Sequence, residues 1–159
     1  MTKEASSLFM RIAIDLSAEA LEDDAGGPFG AIVVRNDEIV GRGRNRVLAD
    51  KDPTAHAEVL AIREACRTLD DHRLTGCVVY SSSEPCPMCM AALYWARVDH
   101  VFFANLRADA ARIGFDDEWL YAELAADVTG RSLAMSRVSS EEAGEVIERW
   151  FRRPDHISY

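Results

Sequence analysis

Leu8, Phe9, Ile12, Ala13, Leu16 and Ala20 recur at helical spacing, which predicts a first helix over Lys3 to Glu22, stopped by Gly26-Gly27-Pro28. The pattern then changes period. Ala31–Val34 and Ile39–Arg46 read as two strands around the polar turn Asn36-Asp37-Glu38. Asp52-Pro53-Thr54 opens a second helix that runs to about Thr68, with Asp52 or Thr54 as its cap. Cys77–Ser81 is a continuous apolar run, as in a strand covered on both faces. Pro87 starts a third helix through Ala96, and Val98–Ala104 is a further strand. Short helices follow at Ala108–Ile113 and Glu118–Leu124, then a strand near Leu133–Val138. Ser139-Ser140-Glu141-Glu142 suits the cap of a last helix with Ala143, Val146, Ile147, Trp150 and Phe151 on one face. Two strands followed by alternating helices and strands predict a three-layer α/β/α sandwich.

The chain has 159 residues, enough for one domain with one core, and no linker or repeat divides it. The N-terminus lacks the basic flank and apolar stretch of a signal peptide, and no apolar run reaches the ~20 residues of a membrane span. The expectation is a cytoplasmic protein with no membrane contact. The net charge is −9, from 18 basic and 27 acidic residues, which argues against a nucleic-acid backbone as partner. Arg42, Arg44 and Arg46 are the one candidate basic patch, and their alternation reads first as the solvated face of a strand.

Two short motifs sit where a loop turns into a helix: Thr54-Ala55-His56-Ala57-Glu58 and Glu84-Pro85-Cys86-Pro87-Met88-Cys89. The pattern H-x-E with P-C-x-x-C is the known signature of zinc nucleobase deaminases. Its chemistry can be checked residue by residue. A Cys-x-x-Cys pair across a helix start turns both sulfurs toward one point, and the helix N-terminus favours thiolates there. His56, Cys86 and Cys89 make three ligands, whereas a structural zinc site is closed by four. Cys66 lies ten residues beyond His56 on the same helix, roughly 15 Å away. Cys77 begins the strand whose other end leads to Cys86. Neither can supply a fourth ligand, so the position is left for zinc-activated water, whose pKa falls toward ~7. Glu58, two residues past His56, suits a proton shuttle.

In these motifs the chain resembles the cytidine deaminase superfamily, and within it the small zinc-dependent guanine deaminases of bacteria. Gly26-Gly27-Pro28-Phe29-Gly30-Ala31, Asn45, Tyr94-Trp95-Ala96-Arg97 and Gly114-Phe115-Asp116-Asp117 carry the likeness beyond the zinc motifs, over about residues 8–125. The resemblance implies a mixed five-stranded sheet with helices on both faces. It also implies a homodimer whose C-terminal segments, about residues 139–159, are exchanged. Phe29 and Trp95 would shape the base slot, Asn45 and Asp117 would hold the purine, and Tyr159 would reach over the neighbouring subunit's site. The residue chemistry points the same way at Asp117. Guanine presents N–H donors at N1 and its 2-amino group, and an ionised Asp only accepts. The alternative for Asp117 is a helix cap shared with Asp116, and for Asn45 a turn residue. The backbone N–H of Ala57 or Cys86, free at a helix start, is a candidate donor to the substrate. The expected reaction is hydrolytic deamination of a purine, guanine to xanthine and ammonia. Guanosine or an aminotriazine as substrate, adenosine in transfer RNA, and a non-catalytic zinc module remain as alternatives.

Overall fold

Asn36 and Asp37 both take positive φ, 51° and 62°, and this is the backbone a two-residue hairpin turn requires. They join β1 (Gly30–Arg35) to β2 (Glu38–Arg44) with Arg35 opposite Glu38. β1 also pairs antiparallel with β3 (Cys77–Ser83), and β3 pairs parallel with β4 (His100–Asn105). The sheet is therefore mixed, in the order β2-β1-β3-β4. This computed structural model describes residues 3–158.

The chain forms two compact units, Met1–Trp119 and Leu120–Tyr159. In the first, successive strand residues feed opposite layers. Ile32, Val34 and Tyr80 pack with Phe9 and Ala13 of α1 (Lys3–Glu22). Ala31, Val33 and Val79 pack with Ala57, Ala61 and Ala65 of α3 (Ala57–Leu69) and with Leu93 of α4 (Pro87–Trp95). A short α2 (Val47–Asp50) precedes α3. The expected α/β/α sandwich is thus present. The approach of α3 to the sheet is set by glycine. A Cβ on Gly43 would overlap the Ala57 carbonyl, and one on Gly41 the Ala61 carbonyl, so β2 without side chains there lets the helix lie on its backbone.

Two expectations need correction. The second helix starts at Ala57 and not at residues 52–54. Asp52 instead closes a local turn, accepting from the Thr54 amide at 2.8 Å and the Thr54 hydroxyl at 2.7 Å, and this competes with helix. Among the described residues the sheet has four strands and not five. Residues 133–138 take no regular structure, and Leu133, Met135 and Val138 are exposed. An alternating segment becomes a strand only where an edge is present to pair with it.

The second unit begins within α6 (Glu118–Ala125), which follows α5 (Arg107–Arg112). Arg131 donates to the Leu124 and Ala126 carbonyls at the end of α6. Glu123 accepts from Ser132 through both its amide and its hydroxyl. α7 (Glu141–Phe151) is capped by Ser140, whose hydroxyl accepts from the Ala143 amide at 3.3 Å, as the capping motif predicts. Val146, Ile147, Trp150 and Phe151 form its apolar side, and all four are exposed.

Candidate active site

His56 and Cys86 each occupy the residue before a helix, in extended backbone conformation: His56 before α3 and Cys86 before α4. Because α3 begins only at Ala57, the imidazole leaves the helix start sideways, toward the sulfurs. Pro87 fixes the first position of α4, and Cys89 follows one turn later, fully buried. His56 Nδ1 stands 3.5 Å from Cys86 Sγ and 3.5 Å from Cys89 Sγ, and the two sulfurs are 3.6 Å apart. Ligands at ~2.3 Å (sulfur) and ~2.0 Å (nitrogen) around one tetrahedral zinc are themselves separated by about 3.5–3.8 Å. The three edges match, so the donor set fits the ion in kind and in spacing. This trio is the one His, Cys and acidic cluster with ligand spacing among the described residues. Cys66 and Cys77 stand outside it, as expected. Cys66 Sγ faces the His72 carbonyl, and burial pushes both thiols up.

The electrostatics of the bare trio favour metal ligation. Hydrogen bonds from Cys89 and His56 bring the Cys86 thiol down to about 4 against the opposing effect of burial. Its bond to Cys86 raises His56. Cys89 is pushed up by its bond to Cys86 and by burial. The lowered Cys86 thiol suits a metal ligand, and a thiol still protonated would give up its proton on metal binding.

Glu58 lies in the first turn of α3 and is 6% exposed. Its Oε1 accepts a hydrogen bond from the Ser81 hydroxyl at 3.1 Å, and its Oε2 lies 3.4 Å from Cys89 Sγ. Burial pushes the carboxyl up from its ordinary value. Ala57 is buried beside it as the first residue of α3. An amide in the first turn of a helix has no partner within the helix.

The residues expected to hold a substrate differ in burial and in partners. Asn45 is 4% exposed, its amide donates to the Phe29 carbonyl, and its Oδ1 accepts from Val47 at 3.2 Å. It is both a turn residue and a buried one, with its NH₂ as the donor end. Phe29 is half-buried and meets Phe115 edge-on at 5.0 Å, the two rings closing over Gly27. Asp116 accepts from the Glu118 amide at 3.0 Å and so takes the turn-closing role that Asp117 shared in the sequence reading. Asp117 keeps a buried Oδ1 with no hydrogen-bond partner. Burial and the negative charge of Cys86 push Asp117 up, while Arg107 opposes them, so Asp117 feels the sulfur site directly. Trp95, at the end of α4, is 61% exposed and is not a core residue. Tyr159 lies outside the described residues.

Sequence reasoning passed over Ser81 and Phe115 as individual residues. The signal for the first was a polar run, Ser81-Ser82-Ser83, at the buried end of a strand where apolar residues belong. Two of the three arginines of the basic patch are in ion pairs, Arg44 with Asp23 and Glu19, and Arg46 with Asp50 at 2.7 Å. No helix among the described residues is long and apolar enough to cross a membrane.

Comparison with known proteins follows the same outline. Residues 3–105 match the family model described as the cytidine and deoxycytidylate deaminase zinc-binding region. The chain is 42% identical to the guanine deaminase of Bacillus subtilis (strain 168) over 142 residues, 89% of this chain and 91% of that protein. It is 45% identical to the tRNA-specific adenosine deaminase of Aquifex aeolicus (strain VF5) over 98 residues, 62% of this chain and 64% of that one. A crystal structure of guanine deaminase from Bacillus subtilis superposes with a TM-score of 0.93 at 40% identity, covering 100% of this chain and 99% of the other.

Proposed function

The chain belongs to the zinc-binding cytidine and deoxycytidylate deaminase family, and from that premise we propose that it hydrolyses guanine to xanthine and ammonia. The observation that carries the choice of base is Asp117, a half-buried residue whose Oδ1 is buried without a hydrogen-bond partner among the described residues. The N1–H and 2-amino group of guanine are donors, and a carboxylate is the side chain that accepts from both. Adenine places an acceptor at N1 and would face Asp117 badly. The likeness to guanine deaminase across nine-tenths of the chain supports the same choice.

His56, Cys86 and Cys89 would hold the zinc ion, which when bound lowers the pKa of water toward ~7 and so makes a nucleophile available at neutral pH. Glu58 takes one proton from the attacking water and passes it to the ring nitrogen, then takes the remaining proton of the added hydroxyl and gives it to the amine that leaves from C2. Guanine plus water thus becomes xanthine plus ammonia. Asn45 donates to the purine from the Phe29 side, and Phe29 and Trp95 bound the ring faces. The Ala57 amide polarises the substrate from the helix start. The reading includes a homodimer with the segment from about residue 139 exchanged and Tyr159 over the partner's site. What supports the exchange, among the described residues, is the exposed apolar side of α7, the unpaired outer edge of β4, and the unpaired segment 133–138.

Ammonia release from zinc-loaded protein, measured across guanine, guanosine, adenine, adenosine, cytosine, cytidine and ammeline, tests the proposal. Guanine is expected to have the highest kcat/KM. A higher value for guanosine, ammeline or adenosine would replace it as the substrate.

A further inference from the structure

We infer that Ser81 is a positioning residue for the proton shuttle: its hydroxyl holds one oxygen of Glu58 and so turns the other toward the metal ligands. This rests on the deaminase reading of the same site.

The geometry is specific. Ser81 is on β3, the strand bonded on both sides, with Ala31 opposite it on β1 and Phe103 on β4. A hydroxyl carried there cannot follow a moving side chain. Ser81 is 2% exposed and donates to Glu58 Oε1 at 3.1 Å. The same carboxylate presents Oε2 to Cys89 Sγ at 3.4 Å. The two oxygens are thus assigned: one to the sheet, one to the ligand side. A metal-ligating sulfur is a thiolate and has no proton to donate. With Cys89 in that role, Ser81 is the side-chain donor that remains to Glu58 among the described residues. α3 fixes the backbone of Glu58, and the aim of its carboxylate is set by what it bonds to, its own backbone amide and the Ser81 hydroxyl. Catalysis by a carboxylate that must meet a water and a ring nitrogen in turn depends on its aim, and a misplacement of about 1 Å can cost ~10²-fold.

The test uses the full-length zinc-loaded protein with Ser81→Ala, Ser81→Thr and Ser81→Cys. Ser81→Ala is expected to lower kcat for guanine by about ten- to a hundredfold with KM within about twofold. Zinc per chain, and the absorption of a cobalt-substituted sample, should stay as in the native protein, because Ser81 touches no ligand. Ser81→Thr restores the hydroxyl and should recover kcat to within about threefold. Ser81→Cys fills the space with a weak donor and should resemble Ser81→Ala, which covers the case in which the alanine variant does not fold. Crystal structures of native protein and Ser81→Ala supply a readout independent of turnover, with Glu58 expected in a changed or divided side-chain conformation. Native kcat in Ser81→Ala, an unmoved Glu58, or a loss of activity that tracks loss of zinc would each overturn the inference. If native protein releases no ammonia from any substrate, the deaminase reading fails, and the position of Glu58 in the two crystal structures still judges the contact.

Discussion

Glu58→Gln keeps the shape of the side chain and its acceptor toward Ser81, yet an amide cannot carry protons. Zinc content and fold should persist while turnover falls by about 10²–10⁴-fold or more. A variant with over half the native rate would mean that another group moves the proton. Asp117→Asn should raise KM or lower kcat for guanine without loss of zinc, since an amide can turn a donor toward donors and leave a buried group unpaired. Unchanged guanine kinetics would return Asp117 to a local structural role. The cysteines separate by state. Cys86, held down to about 4, is a thiolate at pH 6, whereas Cys66 and Cys77 are pushed up and stay protonated. Alkylation of zinc-stripped protein at pH 6 should therefore modify Cys86 first, and reloaded zinc should block it; peptide mapping by mass spectrometry reads both. The trio His56, Cys86 and Cys89 was legible in the sequence because H-x-E and P-C-x-x-C together are a known motif pair and each stands at a helix start. Ser81 was not, because its role depends on the register of a strand against a helix residue 23 positions earlier.

Among the elements, α1 and α7 were legible with their caps and stops, because helical periodicity and a capping Ser or a Gly-Gly-Pro run are local signals. The start of α3 was not. Asp52 and Thr54 look like caps in sequence, and only their mutual hydrogen bonds consign them to a turn. The delay matters, since it leaves His56 outside the helix and facing the sulfurs. The closeness of α3 to β2 was also hidden, although Gly41 and Gly43 alternate along the strand that permits it. Gly43→Ala would press a methyl group against the Ala57 carbonyl and the Ala61 amide. Such overpacking costs about 1–3 kcal/mol, which for a chain of this size lowers Tm by roughly 2–10 °C. The shift should come with weaker zinc retention, because the displaced turn carries Glu58 and adjoins His56. A thermal melt and metal analysis check the pair, and an unchanged Tm would show that the helix has room to give.

At the scale of the whole molecule, the fifth strand was expected from the residue pattern and from likeness, and residues 133–138 find no partner strand within one described chain. The C-terminal exchange can be tested without a structure. Removing Ile157 to Tyr159 should weaken catalysis and spare fold and zinc. Co-expressing that chain with Glu58→Gln should then restore activity at half the sites of the mixed dimer, where an intact tail covers an intact Glu58. Tails that serve their own chain would restore none, and full activity of the truncated protein alone would remove Tyr159 from the site. The layout along the chain has a consequence for substrate choice. The family-wide match ends at residue 105, having taken in His56, Glu58, Cys86 and Cys89 but not Asp117. On the proposed reading, the metal ligands and Glu58 lie in the family-wide segment together with Phe29, Asn45 and Trp95, while Asp117, proposed to select the base, lies beyond it. If Asp117 selects the base as proposed, a change confined to the stretch after β4 would alter the substrate of this chain while leaving the metal motifs and the reaction they serve as they are.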